Sequence, residues 1–170
     1  MILLKRINPL NFAHLTFLYG TRFHPEVTKT LFSKIEPTFE EHVDYIRGKD
    51  MLGHLFFLIT DTETVLFFEE AEEREVEKFV GYCQAHYIKD GVWEAGWVVH
   101  PLHQGKGYGT KSVELLLAEM RLMDIEVVEL EVLKENTRAV SIYEKAGFKK
   151  LEDRSTETYW RMAHSILNPS

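Results

Sequence analysis

The chain has 170 residues, 45% of them hydrophobic and 28% charged, which suits one globular domain with a sizeable core and leaves too little length for two. A single cysteine, Cys83, excludes an internal disulfide, and no apolar run is long enough to span a bilayer. Twenty Lys and Arg against 27 Asp and Glu give a net charge of −7, which argues against nucleic-acid binding and against an anionic membrane surface. The N-terminal Met1-Ile-Leu-Leu-Lys-Arg lacks the features of a signal peptide, so a cytoplasmic domain is expected.

In chain order, Ile2 to Ile7 reads as a short strand, closed by Asn8-Pro9, after which Phe12, Leu15, Leu18 and Tyr19 recur at helical spacing until Pro25. Thr38 with Glu41 three residues on has the form of a capping box, predicting a helix to about Arg47. Leu55 to Thr60, Phe79 to Tyr87 and Val92 to Val99 are rich in β-formers, with Lys89-Asp90-Gly91 as a turn, and predict an antiparallel meander. Residues 61–78 contain the run Glu69 to Glu77, whose like charges need solvent, and are read as a solvated excursion, with Val65 to Phe68 open as a further strand. Tyr108 to Met123 carries Val113, Leu116, Leu117 and Met120 on one helical face, Val127 to Val132 alternates as a strand, and a helix from Thr137 ends at Gly147. Phe148 to Leu151 and Thr158 to Met162 complete an α/β (α+β) order in which Trp97 to Val132 is a β–helix–β crossover.

The segment Gln104-Gly105-Lys106-Gly107-Tyr108-Gly109-Thr110 follows a strand and opens a helix. Closely spaced glycines and a helix N-terminus together offer backbone N–H groups to an anion, although a plain strand-to-helix turn has the same composition. The glycine spacing fits neither a dinucleotide-binding fingerprint nor a P-loop. His100 and His103 flank Pro101 without a cysteine or carboxylate at ligand spacing, so no metal site is expected. Cys83, within a strand, reads as a small core residue rather than a nucleophile.

Trp97 to Gly109 resembles the acetyl-CoA-binding motif of the GNAT N-acetyltransferase superfamily, with Gln104, Gly107 and Gly109 at its Gln, Gly and Gly positions. Asn136 to Phe148 is similar to that family's second signature through Asn136, Ala139, Tyr143 and Gly147-Phe148. The resemblance is sharp over 79–148 and loose over the acceptor-side helices, about 8–50. It implies one N-acetyltransferase domain over 1–170, with a central mixed V-shaped sheet flanked by helices. It also implies that the backbone of Trp97, Val98 and Val99 pairs with the pantetheine of acetyl-CoA. N–H groups of Gln104, Gly105, Lys106, Gly107, Tyr108, Gly109 and Thr110 would hold the pyrophosphate, Asn136 would hydrogen-bond the cofactor, and Tyr143 would lie near the thioester sulfur.

Those roles suit acetyl transfer. A leaving thiolate has a reference pKa of about 8.5, so a phenol of about 10 can hydrogen-bond it, which makes Tyr143 the candidate general acid. An ammonium must lose a proton before it attacks, and Glu94, which interrupts the apolar run Val92 to Trp97, is the candidate base. Read without the resemblance, a helical Tyr143 is more often a core or surface residue, and Glu94 is as readily an outward-facing strand residue.

The acceptor is less legible. Arg22 to Val27 and Glu40-Glu41-His42 resemble the branch holding ribosomal-protein N-terminal, polyamine and nucleotide-linked amino-sugar acetyltransferases. Arg22 could meet an anionic group, and Glu36, Glu40 and Glu41 a cation, or all four could be ordinary helix surface. The expected activity is acetylation of a primary amine on a small metabolite by direct attack in a ternary complex. The alternatives are a protein N-terminal acetyltransferase and a non-catalytic acyl-CoA-binding module, and a homodimer could form through the strand around Tyr159-Trp160.

Overall fold

The structure is a computed structural model that describes residues 1–31, 35–67 and 72–167. Seven strands form one mixed sheet in the order β1-β2-β3-β4-β5-β7-β6. They are β1 (Ile2–Arg6), β2 (Leu55–Phe67), β3 (Glu72–Lys89), β4 (Val92–Val99), β5 (Val127–Leu133), β6 (Lys149–Lys150) and β7 (Tyr159–Ser165). All neighbours are antiparallel except β4 and β5, which are joined through the long helix α4 (Tyr108–Leu122) as the crossover requires.

Period-2 alternation separates two faces. On one, Phe57, Cys83, Ala95, Val128, Leu130 and Met162 pack with Val113, Leu116 and Met120 of α4 and with Val140 and Tyr143 of α5 (Thr137–Lys145). On the other, Phe56, Leu58, Tyr82 and Val98 receive Leu15 and Leu18 of α1 (Phe12–Arg22), Val27 of α2 (Pro25–Thr28), and Val43 and Ile46 of α3 (Phe39–Met51). The capping box at α3 is formed, with Thr38 Oγ1 accepting from Glu41 N–H at 3.2 Å and Glu41 Oε2 accepting from Thr38 N–H at 2.8 Å. No described helix is long and apolar enough to cross a membrane.

Two expectations change. Residues 61–67 and 72–78 are not an excursion, because β2 and β3 continue in register from Asp61↔Lys78 to Phe67↔Glu72. Register sets Lys78 opposite Asp61, Thr62 opposite Glu77, Val76 opposite Glu63 and Thr64 opposite Glu75, and Lys78 pairs with Glu63 across the hairpin, so no acid stands directly opposite another and the repulsion that the sequence suggests is relieved. The expected strand end at Phe68 and the start of the acidic run, 69–71, lie outside the described residues. The second change concerns β7, which is interior to the sheet. Its side facing away from β5 is covered by β6 and by the 151–156 segment, where Leu151 N–H bonds to Arg161 O at 2.8 Å and Thr156 N–H to Tyr159 O at 3.0 Å. The Tyr159–Trp160 edge is therefore occupied from within the chain, and a dimer could not add a strand there.

Candidate active site

Strands β4 and β5 pair over three rungs only, Val92↔Val127, Trp93↔Val128 and Glu94↔Glu129. Beyond Glu94 the strands part: Ala95 to Val99 pair only with β3, and Leu130 to Leu133 only with β7. The facing edges thus present main-chain N–H and C=O groups to a slot between two strands, the setting in which an extended amide-bearing chain can complete the ladder. The backbone of Trp97, Val98 and Val99 lines this slot.

Below the slot the chain turns through Pro101 to His103 and into α4. Gly105 and Gly107 have φ of +82° and +85°, a region in which a side chain is strained, and Gly107 is the N-cap of α4 without any side-chain cap. An α-helix leaves its first N–H groups unbonded internally, here those of Tyr108, Gly109 and Thr110, and they point toward the mouth of the turn with the positive end of the helix dipole. Neighbouring side chains hold the turn from outside. Gln104 Nε2 donates to Val99 O at 3.2 Å and Tyr108 Oη donates to Asp61 Oδ2 at 2.7 Å. A Cβ at Gly109 would sit 3.4 Å from Ile142 Cδ1, so α4 and α5 approach closely there. Lys106 lies within the turn. Arg138, in the first turn of α5, brings Nη2 to 3.8 Å from where a Cβ at Gly105 would be.

Three of the remaining candidates fall around the slot. Tyr143 is 8% exposed on α5, with its ring against Trp97 and Phe148 at centroid distances of 5.5 and 5.8 Å. Burial pushes its phenol up from its ordinary value, so the hydroxyl stays protonated throughout the physiological range. Asn136 is the N-cap of α5 and gives its Oδ1 to the Ala139 N–H at 3.2 Å, which leaves the amide NH2 as the group it could turn to a ligand. Glu94 sits on the face opposite Tyr143, at the last rung. Its Oε2 accepts from Arg161 Nη1 at 2.5 Å, and its Oε1 lies 3.9 Å from His86 Nε2.

Cys83 is fully buried, and desolvation raises its thiol well above the ordinary value, which disfavours the thiolate that a nucleophile needs. Among the described residues no group of three His, Cys, Asp or Glu is placed to hold a metal ion. Arg138, Glu129 and Arg161 were not legible as site residues. Arg138 does lie inside the Asn136 to Phe148 signature, so its position carried a signal, whereas the other two read as solvent-side residues of alternating strands.

The family model for the acetyltransferase (GNAT) family matches residues 28–148. The chain belongs to the GNAT acetyltransferase family. An uncharacterised N-acetyltransferase of Bacillus subtilis, YobR, is 39% identical over 56 residues, a match that spans 33% of this chain and 23% of that protein. In fold, the chain is similar to a domain from Methanocaldococcus jannaschii, with TM-score 0.77, 20% identity, and coverage of 97% of this chain and 98% of that one. It is similar also to the spermidine N-acetyltransferase of Vibrio cholerae solved with CoA and spermine, with TM-score 0.76, 18% identity, and 98% of each chain covered. At these identities the two structures speak to the GNAT fold alone.

Proposed function

We propose that the protein transfers acetyl from acetyl-CoA to a primary amine of a small molecule, of polyamine or nucleotide-linked amino-sugar type, by direct attack in a ternary complex. The observation that carries this reading is the parting of β4 and β5 beyond Glu94↔Glu129, directly above the uncapped start of α4. Acetyl-CoA, the donor substrate, supplies the activated acetyl thioester. The N–H groups from Gly105 to Thr110 bind its pyrophosphate, helped by the charge of Lys106, while the Gln104 N–H closes the turn on Pro101 O and its side chain holds Val99 O; the edge of Trp97 to Val99 that β5 leaves unpaired orients its pantetheine. Tyr143, protonated and buried beside Trp97, donates a hydrogen bond to the departing sulfur. Glu94 receives the acceptor's proton through Oε1, while Arg161 holds Oε2. Because Cys83 is buried, the amine attacks directly and no acetyl-cysteine forms.

The spermine bound in the Vibrio cholerae neighbour supports a cationic small-molecule acceptor, as do the acids Glu36, ahead of α3, and Glu40 and Glu41 in its first turn. The test is release of the CoA thiol with a panel of polyamines, amino sugars and peptides with free N-termini. Turnover with a polyamine or amino sugar supports the reading. Turnover with peptides alone would assign the protein N-terminal branch, and tight acetyl-CoA binding with no acceptor would leave an acyl-CoA-binding module.

A further inference from the structure

Glu94 and Glu129 face each other on the last rung before β4 and β5 part, on the same side of the sheet. Like charges directly opposite on neighbouring strands repel, and here one of them, Glu129, is 4% exposed. The cation between them comes from a third strand. Arg161 of β7, its side chain 10% exposed, donates from Nε to Glu129 Oε2 at 2.8 Å and from Nη1 to Glu94 Oε2 at 2.5 Å, and its Nη1 lies 3.0 Å from Glu131 Oε1. Arg154, on the turn after β6, adds a two-pronged contact to Glu129 at 2.5 and 2.8 Å. Although burial pushes the Glu129 carboxyl up, hydrogen bonds from the two arginines prevail and hold it below its ordinary value. Burial likewise opposes the Arg161 charge, and Glu129 and Glu94 outweigh it.

We propose that Arg161 is a positioning residue for the donor site: it clasps Glu94 to Glu129 and thereby fixes where the slot between β4 and β5 begins. This rests on the reading of that slot as the donor site. Without the Arg161 guanidinium Glu129 keeps Arg154, but nothing joins Glu94 to Glu129, and their carboxylates meet on the rung that separates paired from parted strands, the weakest place for them to do so. It opens, the slot lengthens toward Val92 and Val127, and the free edge of Trp97 to Val99 no longer stands at the distance that a single extended chain bridges. Glu94 turns with it.

Three variants test the clasp: Arg161→Met, Arg161→Lys, and Arg161→Met combined with Glu94→Gln, which removes the cation and one of the charges it separates. CoA affinity is measured by calorimetry, which needs no acceptor, and the amides of 92–99 and 127–133 are followed by hydrogen exchange. The clasp predicts that Arg161→Met weakens CoA binding about tenfold or more with faster exchange at Glu94 and Glu129, and that the double variant recovers most of both, the non-additivity expected of groups in one network. Arg161→Lys, which keeps the charge and loses the fork, falls between. An Arg161→Met protein with unchanged CoA affinity overturns the proposal, as does a double variant as impaired as the single one. If Arg161→Met does not fold, the Lys and double variants decide by the same comparison. Failure of the unmodified protein to bind CoA would refute the donor site itself, and the exchange pattern at the terminal rung would then still support or refute the clasp.

Discussion

The Trp97 indole and the Tyr143 phenol meet with ring centroids 5.5 Å apart and planes inclined at 45°, so that β4 and α5 are joined at the slot through two aromatic rings. The Trp97 ring is itself held, its Nε1 donating to Ser112 O at 3.3 Å in α4. The Tyr143 ring is thus placed by packing with Trp97 and Phe148 and not by its hydroxyl.

Tyr143→Phe should therefore keep the fold and the donor affinity while lowering kcat by about 10²–10⁴-fold, the usual worth of general acid–base assistance. Steady-state kinetics with a calorimetric Kd for acetyl-CoA check this. Unaltered kcat would mean that another group protonates the sulfur.

Glu94→Gln retains an oxygen for Arg161, so the clasp should survive while the proton acceptor is lost. Turnover per encounter, kcat/KM, should fall at neutral pH and recover in part as pH rises, because an alkylamine with a reference pKa of about 10.4 then supplies more of its own neutral form. A loss of the same size at every pH would show that Glu94 binds the amine or supports the strand.

The buried His42 offers a stability test on the sheet face covered by α1 and α3. Its ring, 6% exposed, lies among Tyr19, Phe23 and Tyr45 at 5.5, 5.4 and 6.3 Å. Burial, with the nearby Arg22 charge, lowers it to about 4. Since the folded value lies below the unfolded one, the unfolded chain takes up a proton first. The stability that neutral His42 contributes should be fully present above about pH 6.5 and lost as pH falls toward 4, by roughly 3 kcal/mol in total. Urea unfolding of the wild type and His42→Gln between pH 7.5 and 4.5 should give a flatter dependence for the variant. Parallel curves would remove His42 as the cause.

How much of this was legible in the sequence depends on whether the information was local. The start of α4 at Gly107 and the cap at Thr38 were readable because the capping residues lie within one turn of the groups they serve. The parting of β4 and β5 was expected only from resemblance, since no feature of Val92 to Val99 alone says where pairing stops. The hairpin over 61–67 and 72–78 was misread because a charge run looks repulsive until its partner strand is known. Arg161 and Glu129 were invisible for a similar reason: they are 32 positions apart, on strands whose alternation marks both as solvent-facing, and only the register brings Glu94, Glu129 and Arg161 onto one patch.

If the glycine-rich turn and the slot above it are the donor site, calorimetric titration of folded Gly107→Val with acetyl-CoA is the measurement that tests it most directly. A Cβ at Gly107 would meet no protein atom within 4 Å, and only its φ of +85° opposes a side chain. The fold should thus tolerate the change at a cost of about 1–2 kcal/mol, while the methyl groups stand where the pyrophosphate approaches the N–H groups. Affinity for acetyl-CoA should fall by at least about tenfold, roughly 1.4 kcal/mol, relative to the wild type. A folded Gly107→Val protein that binds acetyl-CoA as tightly as the wild type would contradict the assignment.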